Sequence, residues 1–173
     1  MTKGIELIKR LSLAMGPSGC EDEVRDVIRE EIGDAADSVT EDRVGNLIVK
    51  VKGRGMDYNA DKPARLLVAA HMDEVGFMVK DVTDEGYVRF SPIGGMDPRV
   101  LCGRHVTIRT EKGKDIPAMI ATKAIHLQSA EERVKATPTD KMYLDIGTRT
   151  KEEGFKTVSV GDYGVFDSDF VTF

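Results

Sequence analysis

The stretch LLVAAHMDEV, Leu66–Val75, decides how this chain is read. Five apolar residues end in His71, and Asp73 follows two positions later. A run that is apolar at every position predicts a strand over Leu66–Ala70 covered on both faces, as in a layered α/β domain. The end of such a strand opens onto the crevice where α/β proteins keep their sites. Residues i and i+2 of an extended segment point to the same side, with Cα atoms about 7 Å apart. Asp73 is then within reach of one ring nitrogen of His71, which sets the tautomer and turns the other nitrogen toward a metal. A mixed imidazole and carboxylate set suits Zn²⁺, Co²⁺ or Mn²⁺. The same His-x-Asp also fits an imidazole that caps a strand and bonds locally. A hydrolytic zinc site needs three or more protein ligands and a general base.

Upstream, Ile5, Ile8, Leu11 and Met15 recur at helical spacing, with Leu7 widening the stripe, until Gly16-Pro17 stops the helix. Ser18-Gly19-Cys20-Glu21 matches a capping box, and Glu21, Asp22 and Glu23 suit the positive end of a second helix. Val24, Val27, Ile28 and Ile32 share one face of it, so both helices read as covers for a sheet. Asn46–Val51 (NLIVKV) reads as a strand. The turn-rich segment GRGMDYNADKP, Gly53–Pro63, separates it from Leu66.

Downstream of Val75 the pattern becomes all-β. Strands are predicted at Phe77–Val82, Tyr87–Phe90, His105–Thr110, Ile116–Ala121, Met142–Ile146 and Gly164–Phe173. Gly, Asp and Pro turns lie between them, which argues for a small barrel or sandwich. Ser129–Thr139 reads as a polar excursion and Arg149–Phe155 as a short helix. The fold class is thus α/β plus all-β, with two helices and two or three strands in the first part.

The bulk properties exclude several functions. The 173 residues suit one ordinary domain, or a small domain plus part of another. A compact chain of this size buries roughly 70% of its unfolded surface. With 40% hydrophobic and 32% charged residues it is globular rather than disordered. A net charge of −5, with bases interleaved among acids, argues against nucleic-acid binding. No run approaches a membrane span, and no signal peptide opens the chain, so a cytoplasmic protein is expected. Cys20 and Cys102 form no CxxC and read as reduced thiols. Neither a phosphate-binding Gly-rich loop nor a G-x-S-x-G elbow is present. Met72, Met78, Met96, Met119 and Met142 read as core and interface filler.

AHMDEVGFMV closely resembles the motif of the glutamyl aminopeptidase and endoglucanase M (cellulase M-like) family of metallo-aminopeptidases, peptidase family forty-two. Further blocks resemble the family in the same order: GPSGCEDEVRDVI, DRVGNLIV, IGGMDPRVLCGRHVTI, MYLDIGTRTKEE and VSVGDYGVF. The resemblance spans nearly the whole chain. It implies a di-metal exopeptidase α/β domain interrupted by a β-barrel or PDZ-like domain that mediates dimerisation. On that basis residues 1–73 are the N-terminal part of the catalytic domain and 74–160 the inserted barrel. Residues 161–173 are a return strand toward the rest of the catalytic domain.

The resemblance also implies chemistry. Family members remove N-terminal residues from peptides by means of a water polarised by two metals, Zn or Co, with a glutamate as general base. The histidine matching His71 binds one metal, and the aspartate matching Asp73 supports it. The remaining ligands and the base follow the inserted domain in the family and find no match in these residues. The chain is therefore expected to be a truncated N-terminal fragment, inactive alone and holding at most one metal weakly. Its partners are expected to be copies of itself, as a dimer or larger assembly through the β-domain, and a separate C-terminal half. The alternative is a non-catalytic oligomerisation or binding module. His126, in AIHLQS, is assigned a substrate-side or interface role by the same resemblance. Glu74 reads as a solvated carboxylate or a further supporting acid, Asp97-Pro98 as a turn, and His105, Asp167 and Asp169 as surface positions.

Overall fold

The computed structural model describes residues 3–53 and 65–172. The chain divides into two compact units, Met1–Asp73 and Glu74–Phe173. The first holds helices α1 (Lys3–Leu13) and α2 (Asp22–Ile32) and a hairpin of β1 (Ser38–Glu41) and β2 (Leu47–Lys50). The strands pair antiparallel from Ser38↔Lys50 to Glu41↔Leu47. Arg25 ties α2 to this hairpin. Its buried guanidinium donates to Asp22 Oδ1 at 2.6 Å and to the Gly45 carbonyl at 3.2 Å, and lies 3.6 Å from Glu41. The hydrogen bond to Asp22, with the charges of Asp22, Glu41 and Glu21, raises its pKa further.

The Leu66–Ala70 run departs from its sequence reading. It forms no strand, and Leu66, Leu67 and Val68 are 90%, 89% and 81% exposed. The reason is topological: β1 and β2 pair only with each other, so a run composed for two covered faces meets no sheet among the described residues. The turn read over Gly53–Pro63 lies, apart from Gly53, outside the described residues. No described helix is long and apolar enough to cross a membrane.

The second unit is a closed antiparallel barrel of six strands: β3 (Gly76–Val82), β4 (Val88–Ile93), β5 (His105–Arg109), β6 (Asp115–Ala121), β7 (Tyr143–Asp145) and β8 (Tyr163–Phe166). Two hairpins, β3–β4 and β5–β6, are bridged by single strands. β7 lies between β4 and β6, and β8 between β5 and β3. Period-2 alternation fills the interior: Phe77, Val79 and Val82 from β3, Val106 and Ile108 from β5, and Ile116, Ala118 and Ile120 from β6 are buried together. The alternation slips once in β3, at a bulge against β4 between Val79 and Asp81, and on the β8 side Val79 exchanges hydrogen bonds with Asp162 and Gly161. The Phe77 and Phe90 rings meet edge to face at 5.8 Å.

The predicted polar excursion contains a helical turn, α3 (Ala130–Arg133), held by a Ser129/Glu132 capping box. The predicted short helix is α4 (Lys151–Thr157), capped by Thr150. The last strand is shorter than Gly164–Phe173 and is paired on both sides, so the barrel runs past residue 160. Its Gly164 pairs with both Phe77 and Ile108. A Cβ there would lie 2.4 Å from the Thr107 carbonyl oxygen and 2.6 Å from the Phe77 ring, so only glycine passes without displacing a neighbouring strand. Gly164→Ala is expected to cost about 1–3 kcal/mol, read as a lower midpoint in denaturant melts. Gly95→Ala, where an added Cβ meets nothing within 4 Å, is expected to leave the midpoint unchanged.

Candidate metal centre

His71 follows the apolar Leu66–Ala70 run directly, and its side chain is 84% exposed. Its Nδ1 is 2.9 Å from the Asp73 carbonyl oxygen and 3.0 Å from Asp73 Oδ1. Both partners are acceptors only. Nδ1 must therefore carry the proton in the neutral ring, and Nε2 presents its lone pair. The second oxygen of Asp73, Oδ2, accepts a hydrogen bond from the Ser18 hydroxyl. That bond, with a smaller contribution from His71, holds the Asp73 carboxyl below the usual carboxylate range. The carboxylate thus has one oxygen facing the imidazole and the other facing the hydroxyl.

Ser18 stands in this arrangement because it does not cap α2. The capping-box reading fails in both halves. The α2 helix starts at Asp22 with no side-chain cap, and Glu21 accepts from the Gly19 N–H at 2.7 Å rather than from that of Ser18. The Ser18 hydroxyl crosses instead to Asp73, 55 residues later in the chain. Sequence reasoning missed this contact. Its one available signal was that a carboxylate orienting a histidine has a second oxygen in need of a donor.

Other residues read as candidates lie elsewhere. His126 is exposed in a 3₁₀ turn, Ile125–Leu127, flanked by two exposed apolar side chains. His105 is an exposed strand residue paired with Met119. Asp97 caps the 3₁₀ turn Pro98–Val100 and grips the Arg99 guanidinium. The hydrogen bonds to Arg99 lower its carboxyl to about 2. Asp167 accepts from the Thr107 hydroxyl at 2.6 Å. Among the described residues no group of three or more His, Cys, Asp or Glu is placed to hold a metal ion. A metal at His71 would therefore take fewer than three such ligands from the described residues. The tautomer and exposure of the His71 imidazole fit the role.

A family model described as M42 glutamyl aminopeptidase matches residues 45–173. The chain is 32% identical over 164 residues to the lysyl aminopeptidase of Pyrococcus furiosus, covering 91% of this chain and 45% of that protein. It is similar to the crystal structure of the TET aminopeptidase of a marine sediment Thaumarchaeota archaeon, with 38% identity and a TM-score of 0.83 over 95% of this chain and 45% of that one. It is also similar to the TET1 peptidase of Pyrococcus horikoshii, which can assemble into a tetrahedron or a large octahedral shell. There the identity is 38% and the TM-score 0.81, over 96% of this chain and 47% of that one. The chain spans about half the length of the relatives it matches. By the family match and this identity over nearly all of its residues, the chain belongs to the M42 glutamyl aminopeptidase family.

Proposed function

We propose that these residues serve a metal-dependent aminopeptidase and contribute His71 as one ligand of its metal centre. The observation that carries this reading is the pair of acceptors on Nδ1, which leaves Nε2 as a lone-pair donor at an exposed position. Asp73 keeps the imidazole in that tautomer and raises its basicity. A divalent ion, Zn²⁺ or Co²⁺, would supply Lewis acidity toward the peptide carbonyl and an activated water. The remaining ligands and the general base come from outside these residues, from the rest of the protein or a separate C-terminal half. The exposed Leu66–Val68 run is the surface that such a partner would cover. Residues 1–73 belong in this reading to the catalytic domain, and the barrel to an insertion.

The barrel supports a second role, as an assembly module for a homodimer or larger homo-oligomer. Ile125 and Leu127, exposed large apolar side chains of one 3₁₀ turn, are the surface an assembly contact would cover. His126, between the two, belongs on this reading to the interface or the substrate side.

Alone, the 173-residue chain is expected to release no amino acid from aminoacyl chromogenic substrates with Zn²⁺ or Co²⁺. Fused to the C-terminal part of the Pyrococcus furiosus relative, it is expected to turn over. Asp73→Asn should then lower kcat/KM by about 10–100-fold, and His71→Ala by more. Turnover by the chain alone, or an unimpaired His71→Ala fusion, contradicts the reading. Light scattering after size exclusion should give a dimer or larger species that Leu127→Asp shifts toward monomer. A strict monomer at high concentration contradicts the assembly role.

A further inference from the structure

We propose that Ser18 is a positioning residue for the His71 ligand, acting through Asp73. The inference rests on the reading of His71 as a metal ligand. A carboxylate held only at the oxygen that faces an imidazole remains free to rotate about its Cβ–Cγ bond. Asp73 is held at both. Oδ1 accepts from His71 Nδ1 at 3.0 Å and Oδ2 from the Ser18 hydroxyl. Two contacts fix the plane of the carboxylate, hence the direction in which Nδ1–H is drawn and Nε2 is aimed.

The loop that carries Ser18 is built to hold it in place. Met15, Gly16 and Pro17 are buried. A Cβ on Gly16 would lie 2.6 Å from Val24 Cγ2 and 3.7 Å from the Met72 carbonyl oxygen, so the loop passes close by the residue between His71 and Asp73. The turn is closed by Cys20 N–H donating to the Pro17 carbonyl at 2.8 Å. On either side, Gly19 N–H donates to Glu21 Oε1 at 2.7 Å and Met15 N–H to Glu23 Oε2 at 2.8 Å. Both glutamates belong to the entry of α2, which the buried Arg25 pins to the hairpin. The serine hydroxyl is thereby presented to Asp73 rather than to the helix end. Its effect runs from a rigid helix entry, through one carboxylate, to one imidazole.

The test uses the 173-residue chain labelled with ¹⁵N-histidine, at about pH 8, where an ordinary imidazole is neutral. In the native chain the His71 nitrogen shifts are expected to report one neutral tautomer, protonated at Nδ1. Ser18→Ala should mix the tautomers and weaken Zn²⁺ binding at His71 by roughly 10-fold, the low end of what loss of an outer partner costs. Ser18→Thr, which keeps the hydroxyl, should behave as the native chain. Ser18→Val, which matches threonine in shape but lacks the hydroxyl, should behave as the alanine variant. If Ser18→Ala loses its helical circular dichroism, the Thr/Val pair decides alone. Native tautomer populations and Zn²⁺ affinity in Ser18→Ala, or equal behaviour of the Ser18→Thr and Ser18→Val chains, overturn the proposal. A His71→Ala chain that binds Zn²⁺ as well as the native one overturns the metal-ligand reading instead. The tautomer readout then still judges Ser18.

Discussion

The barrel closes where β8 passes between β3 and β5, and the passage has the width of a glycine. Gly164 sits against the Thr107 carbonyl on one side and the Phe77 ring on the other. Without β8 the two hairpins β3–β4 and β5–β6 would meet only through β7, leaving open strand edges and a core exposed along one seam. Closure pairs those edges and lets the inward residues of all six strands share one interior. The size of Phe77 and the absence of a side chain at Gly164 are two halves of the same constraint. A ring fills the space that any Cβ would need.

The first unit is organised by charge and hydrogen bonding more than by burial. α1 buries no residue, and ion pairs such as Lys3–Glu31 link it to α2. Exposed pairs of this kind contribute little each. The buried Arg25, satisfied by Asp22, the Gly45 carbonyl and nearby Glu41, holds α2 to the hairpin more firmly. From that anchored helix entry the Gly16–Glu21 turn reaches Asp73, and Asp73 reaches His71. An imidazole on an exposed segment outside any helix or strand acquires a defined direction only from the groups that hold its ring.

The barrel strands were legible because one face of each is buried and the other is not. Phe77, Val79 and Val82, and likewise Ile116, Ala118 and Ile120, carry the period in their own sequence. The order of the strands was not, since nothing local tells β8 to enter between β5 and β3. His71 and Asp73 were found because two residues apart is a local relation. Ser18 was not, because its partner lies 55 positions away and its sequence context imitates a helix cap. Leu66–Ala70 misled for the opposite reason. Its composition describes a covered strand, and its covering is not among the described residues.

Everything proposed for the site depends on the imidazole of His71 offering Nε2 to a metal while Asp73 holds Nδ1. Anomalous diffraction at the zinc edge tests this most directly, on crystals of a protein in which these residues are joined to the family's remaining ligands. The expected result is a Zn²⁺ peak about 2.0–2.1 Å from His71 Nε2, with Nδ1 still bonded to Asp73. A fully occupied metal centre with no ion at His71, or with the ion on Nδ1 and Asp73 turned away, would contradict it.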